Sequence, residues 1–171
     1  KAVLSFENKL QTKRSDRSYD LARLILSTEY AFKQDTLPSG YNKMKADLEI
    51  TPYGWLGFYF DAEYNPQTDD LETANFDLYI NNPDDRWYLH LSERYHHQVD
   101  NIFEAEAGWR VNPKWGLRVR ERFDLDTGKN EETAFVISRD LHAWLMDIEF
   151  AKEQNDGESI MLIFTLKGFE D

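Results

Sequence analysis

The sequence predicts an all-β protein, an antiparallel up-and-down meander of about eleven strands. Three observations predict it. Apolar and polar residues alternate with period two along nearly the whole chain, the pattern of strands whose successive side chains leave opposite faces. All five prolines, Pro38, Pro52, Pro66, Pro83 and Pro113, fall between the alternating stretches, where a missing N–H breaks no ladder. No stretch carries a 3.6-residue period, and most connections are short enough for hairpins.

Each strand follows from one apolar row and the turn chemistry that ends it. The first, 2–12, opens the chain as KAVLSFENKL, which reads as a mature or truncated start, and 18–33 is the second. Met44, Ala46, Leu48 and Ile50 mark 41–51, stopped by TPYG. Leu56, Phe58, Phe60, Ala62 and Tyr64 mark 55–65, stopped by NPQTDD, and Ala74, Phe76, Leu78 and Ile80 mark 71–81, stopped by NNPDD. Strands 86–96 and 101–111 come next, and NPK separates the latter from 115–126. In WGLRVRERFDL (115–125), Trp115, Leu117, Val119, Phe123 and Leu125 share one parity, while Arg118, Arg120 and Arg122 share the other. DTGKN leads into 131–139, a tight turn at 140–141 into 142–152, and NDGE into 158–168. That last strand has the row Ile160, Leu162, Phe164 and Leu166, with Ser159, Thr165 and Lys167 on the other parity. Residues 1–171 form one domain without linker or recurring motif. Connections at 52–54, 82–85, 112–114 and 140–141 are tight. Those at 34–40, 66–70, 97–100, 127–130 and 153–157 are mostly longer, while 13–17 breaks the pattern.

A short-turn rim opposite a longer-loop rim is a habit of outer-membrane barrels. All five tryptophans lie near the short-turn rim, and Trp87, Trp109, Trp115 and Trp144 share the apolar parity while Trp55 does not. Toward the other rim the apolar parity carries Tyr64, Tyr95, Phe103 and Phe123, with Tyr30, Phe32 and Phe150. These are two aromatic girdles with aliphatics between. Trp87 to Tyr95 and Trp115 to Phe123 are each eight residues apart. At ~3.3 Å per residue and ~40° of tilt that is roughly 20 Å of height, near the ~25 Å apolar band of a membrane barrel. Indole and phenol rings prefer such interfaces.

The opposite face reads as a paired lumen. If the 112–114 turn sets Val111 against Trp115, Glu106 faces Arg120 and Glu104 faces Arg122. A matching register in the preceding hairpin puts Arg94 against Glu104, giving a charge ladder of Arg94, Glu104, Glu106, Arg118, Arg120 and Arg122. The alternation therefore points to a transmembrane β-barrel, or a segment of a wider one. The competing reading is a soluble lipocalin-like β-barrel, apolar inside, that binds a small apolar ligand. It accounts for the alternation equally well and for the acidity better, but gives no reason for tryptophan to gather at one rim. Eleven is odd, and an odd antiparallel count leaves first and last strands parallel on closure, so either a strand is missing or the chain is part of a larger barrel.

Composition narrows the classes. The 171 residues carry a net charge of −12, a poor match to nucleic acid. There is no cysteine, hence no disulfide or thiolate metal site. No apolar run approaches the ~20 residues of a membrane helix, which leaves strands untouched as spans.

ETAFVISRDLHAWLMDIEFAKEQNDGESIMLIFTLKGFED resembles the end of the outer-membrane lipopolysaccharide-assembly family LptD, once called organic solvent tolerance protein. Arg139, Asp140, Leu141, His142 and Trp144 match that family's turn, and Leu166, Lys167, Gly168 and Phe169 its end; VNPKWGLRVRERFDLDTGK is similar to the preceding hairpin. The resemblance is specific over 108–171 and generic upstream. It implies an outer-membrane location in a Gram-negative bacterium and a role in lipopolysaccharide transport into the outer leaflet. The implied partners are outer-membrane lipid and lipopolysaccharide, with a plug lipoprotein and the N-terminal part of the barrel. It further implies that the short-turn rim faces the periplasm. Ile160, Leu162, Phe164 and Leu166 would then lie on the seam strand where lipopolysaccharide leaves. The outer edge of that strand would need another copy, residues 2–12 or a partner protein. Where Ala143 stands the family often has a cysteine that joins a disulfide in many members; Ala143 cannot, through lineage or through engineering.

No nucleophile–base–acid set is recognisable, so no enzyme and no cofactor is expected. Glu104 with Glu106, and Asp124 with Asp126, read as faces of strands rather than acid–base pairs. His96, His97 and Asp100 read as a polar loop tip rather than a metal site, because adjacent strand residues point apart. Arg118, Arg120 and Arg122 suit either a lumen salt-bridge network or the phosphates of a passing glycolipid.

Overall fold

The computed structural model describes residues 1–14, 17–32, 40–154 and 157–167. Parts of the connections expected at 13–17, 34–40 and 153–157, and Gly168 and Phe169 of the terminal pattern, lie outside them. The described residues hold eleven strands and no helix: β1 (Ala2–Arg14), β2 (Arg17–Ala31), β3 (Gly40–Tyr53), β4 (Leu56–Asn65), β5 (Asp70–Asn81), β6 (Trp87–His96), β7 (Asp100–Asn112), β8 (Trp115–Asp124), β9 (Lys129–Asp140), β10 (Trp144–Glu153) and β11 (Gly157–Leu166). They form one antiparallel sheet in strict sequence order, with β1 and β11 at its two ends. Consecutive pairing is what short turns impose.

Asn and Asp side chains set the turns. Asn65 Oδ1 accepts the Gln67 N–H at 3.0 Å, and Asn82 Oδ1 accepts the Asp84 N–H at 3.1 Å. Asn112 Oδ1 accepts the Lys114 and Trp115 N–H groups at 2.9 and 3.1 Å. Each short polar side chain thus stands in for the backbone carbonyl of a turn. The same chemistry shortens two strands relative to expectation. Asp124 Oδ1 takes the Asp126 and Thr127 N–H groups, so β8 stops at 124 and not 126. Asp140 Oδ1 takes the His142 N–H at 2.8 Å, and His142 sits at φ 75°, so β10 begins at 144 and not 142. At Gly128 (φ 68°) the β8–β9 turn needs the left-handed region that glycine enters freely.

The strands fall into two units. In the first, Lys1–Tyr79 with Ser92–Asn101, apolar residues of four strands align in rows. Phe6 faces Leu26, Leu26 faces Ala46, and Ala46 faces Ala62; Leu24 faces Leu48, which faces Phe60. In the second, Ile80–Leu91 with Ile102–Asp171, Ala107, Val119, Phe135, Phe150 and Ile160 stand in one row across β7 to β11. The expected rungs Glu104–Arg122 and Glu106–Arg120 are present. Val111, expected against Trp115, is displaced into a bulge, and Asn112 faces Trp115 instead. The Asn112 side chain pulls the turn tight by one residue, while the register beyond Arg110 is kept.

Candidate functional site

In the second unit the most deeply covered residues lie on the arginine parity, whereas in the first Ala46, Leu48, Phe58 and Phe60 of the apolar rows are half-buried and Lys43, Lys45 and Asp61 of the other face are exposed. Among the described residues the buried side chains are Ala134, Val136, Ala151 and Ser92. Ala134 faces Arg120 and Val136 faces Arg118 across β8–β9, and Ser92 shares the parity of Arg94. The step along β9 is sharp: Ala134 is 1 % exposed, Phe135 51 % and Val136 4 %. On the apolar parity of the second unit Leu117, Phe135 and Phe150 are exposed, while Val119 and Ile137 are half-buried.

Between the buried small residues the charged side chains pair. Arg120 donates to Glu132 through Nε (3.2 Å) and Nη2 (2.6 Å), with Glu149 4.0 Å away. Arg122 Nε lies 3.2 Å from Glu131. Arg118 Nε stands 3.9 Å from Glu106, an ion pair too long for a hydrogen bond, and the same Glu106 accepts the Tyr88 hydroxyl at 2.6 Å. In the first unit Arg94 donates through Nη2 to both Asp77 oxygens at 2.7 and 2.8 Å, and through Nη1 to the Phe76 carbonyl at 2.8 Å. Two features escaped the sequence reading. Glu132 and Asp77, neither of them in the expected ladder, hold Arg120 and Arg94. A second cluster joins Lys43 and Lys45 to Glu63, with Glu72 2.8 Å from Lys43. Lys43 and Lys45 alternating on one strand, with Glu63 opposite Lys45 on the next, was the available signal.

The aromatic residues of the two expected girdles differ in their surroundings. Trp87, Trp109 and Trp144 are exposed, and Trp109 faces Leu117 while Trp144 faces Leu166. Trp115 is half-buried beneath the Arg139 guanidinium, 4.9 Å from its ring centroid. Phe103 faces Phe123, and Tyr64 faces Met44. Tyr95 Oη lies 3.2 Å from His97 Nδ1. Trp55, off the apolar parity, stacks on Tyr53 with centroids 5.2 Å apart. His96 and His97 turn to different partners, Asp100 at 2.9 Å and Asp70 at 3.5 Å.

The two stretches that carry the family resemblance meet in space. Lys167 N–H donates to the Ala143 carbonyl at 3.0 Å, and its ammonium pairs with Asp140. Asp140 N–H in turn donates to the Lys114 carbonyl at 2.8 Å. Asp140 ends β9 one residue beyond the Trp115–Arg139 rung, opposite Leu145 of β10. Its carboxyl is held below the ordinary range by the Lys167 ammonium and then by the His142 N–H. Asp124, past Phe123 at the other rim, is likewise lowered by the Thr127 N–H and hydroxyl.

The seam residues Ile160, Leu162, Phe164 and Leu166 are exposed at 52 to 72 %. The other side of β11 is not the polar face its neighbours Ser159, Thr165 and Lys167 suggest. Met161 and Ile163 share it, set against Glu149 and Asp147 of β10, and both are exposed. A scan against protein-family models and a search of curated proteins return no match to this chain. Fold and site together define a class: an all-β antiparallel meander with one charge-paired face and one apolar face.

Proposed function

We propose that this chain is part of an outer-membrane β-barrel that passes lipopolysaccharide to the outer leaflet, in the manner of the family its C-terminal third resembles. The observation that carries the reading is the step in burial along β9 and β10: Ala134, Val136 and Ala151, beside the Arg120–Glu132 pair, are covered while Phe135 and Phe150 on the aromatic-banded apolar face are open. A soluble barrel with an apolar ligand inside requires the reverse. Water does not tolerate so large an open apolar face without a partner, whereas acyl chains do. The arginines of the charged face serve as a salt-bridge network, since Arg94, Arg118, Arg120 and Arg122 each face a carboxylate. The joined Asp140–Lys167 turn anchors the seam strand at its end, and lipopolysaccharide, a plug lipoprotein and the N-terminal part of the barrel are the partners.

The test uses single-tryptophan versions of the folded chain, retaining Trp87 or Trp115, in bilayers containing brominated lipid. Quenching of both is expected. A folded, reconstituted sample without quenching, or a chain that is monomeric in plain buffer and takes up an apolar dye stoichiometrically, would replace this reading with the lipocalin-like one.

A further inference from the structure

One carboxylate stands on the wrong face. Along β6 the apolar parity runs Trp87, Leu89, Leu91, Glu93 and Tyr95, while Ser92 and Arg94 take the other. Glu93 is half-buried, and among the described residues its carboxylate makes no hydrogen bond and no ion pair. The nearest cation in sequence, Arg94, is committed to Asp77 on the opposite face. Glu93 lines an open cavity of about 260 Å³ together with Phe60, Leu71, Ala74, Asn75, Phe76 and Tyr95, and Asn75 donates its amide to Asp61. All of these belong to the first unit.

An ionised carboxylate in apolar surroundings is costly unless a counter-charge comes to it. Here the walls are two phenyl rings and a phenol, whose faces attract a cation that the carboxylate also attracts. The cavity therefore selects a small positive group carried on an apolar body. Its depth fits as well: Glu93 is two residues inward from the girdle residue Tyr95, at headgroup level in the proposed bilayer. From the cavity an apolar track continues toward the opposite rim through Phe58, which stacks on Phe76 with centroids 6.4 Å apart.

We propose that this cavity is a binding site for a membrane lipid with an ammonium headgroup, its nitrogen between Glu93 and the rings of Phe76 and Tyr95 and one acyl chain along Phe58. The proposal rests on the membrane reading above, which places the apolar face in lipid. Native mass spectrometry of the folded full chain, released from dodecyl maltoside micelles with phosphatidylethanolamine or phosphatidylglycerol added, tests it. Wild type is expected to retain phosphatidylethanolamine about tenfold better. Glu93→Gln removes that preference, and Ala74→Leu, which fills the cavity, lowers retention of the same lipid. Glu49→Gln, an equal charge change on the opposite face, preserves the preference. Equal retention of both lipids by wild type, or a preference that survives Glu93→Gln, overturns the site. Sedimentation of wild type without detergent separates the two readings. A monodisperse chain there sinks the membrane assignment. The cavity is then judged by hexylammonium against hexanol in solution, where Ala74 and Tyr95 amide shifts that respond equally to both would sink the ammonium site as well.

Discussion

Replacing Gly108 by alanine will push Tyr88 off Glu106. An ideal Cβ on Gly108 falls 2.1, 2.5 and 2.8 Å from Cε1, Cζ and Cδ1 of the Tyr88 ring. Carbon atoms pack at about 3.5–4.0 Å, so the ring must withdraw by more than an ångström. That carries the hydroxyl out of reach of the Glu106 carboxylate it now meets at 2.6 Å. Overpacking costs about 1–3 kcal/mol, and a hydrogen bond to a charged group is worth about 1.5–3 kcal/mol where water cannot replace it. Tyr88 is only half-buried, so water takes over part of that bond. Removing a glycine from a strand returns about 0.4–1 kcal/mol. The net expectation is a loss of about 1–2 kcal/mol. Urea unfolding of the lipid-reconstituted chain, followed by circular dichroism, measures it. A double-mutant cycle with Tyr88→Ala isolates the cause, because Gly108→Ala becomes neutral or stabilising once the ring is gone. A coupling below about 0.5 kcal/mol would refute the steric account.

Three further outcomes are expected. Val119→Arg, in the middle of the apolar face, destabilises the bilayer-inserted chain by about 2–4 kcal/mol, as does Leu89→Arg, whereas Arg120→Leu, at a partly exposed pair, costs nearer 1 kcal/mol; equal losses in the same unfolding assay would mean the faces are misassigned. Because the folded Asp140 carboxyl is lowered, its contribution is present above the unfolded value and lost as pH falls through the folded one; the His142 amide shift should therefore titrate with a midpoint below the ordinary aspartate range, and Lys167→Met should raise that midpoint. Amide exchange should be fast at alternate residues of β11, which is paired on one side by β10, and slow throughout 115–125; uniform protection of both would show that the β11 edge is covered.

Alternation and turn chemistry are local, and they suffice for much of this protein. Met44, Ala46, Leu48 and Ile50 declare a strand because period two needs no knowledge of the neighbours, and Asn112 ends one by accepting the N–H groups of its own turn, whereas Pro52, read as a stop, lies one residue inside the end of β3. The Glu104–Arg122 and Glu106–Arg120 rungs were legible because a short hairpin leaves few registers. Parity, however, says only that two faces differ. Which one is covered depends on what packs over it, and only the folded chain places Ala134 and Val136 in cover and Phe135 between them in the open. The Val111 bulge, the Tyr88 ring laid over Gly108, and the meeting of Asp140 with Lys167 twenty-seven residues on share that origin. Each joins residues that are distant in sequence or competing for one hydrogen bond. Glu93 is the instructive intermediate: its misplaced parity is visible in the string Trp87–Tyr95, but the missing counter-charge and the cavity beside it exist only once β4, β5 and β6 bring Phe60, Phe76 and Tyr95 together, because a counter-ion is a matter of distance and not of order along the chain.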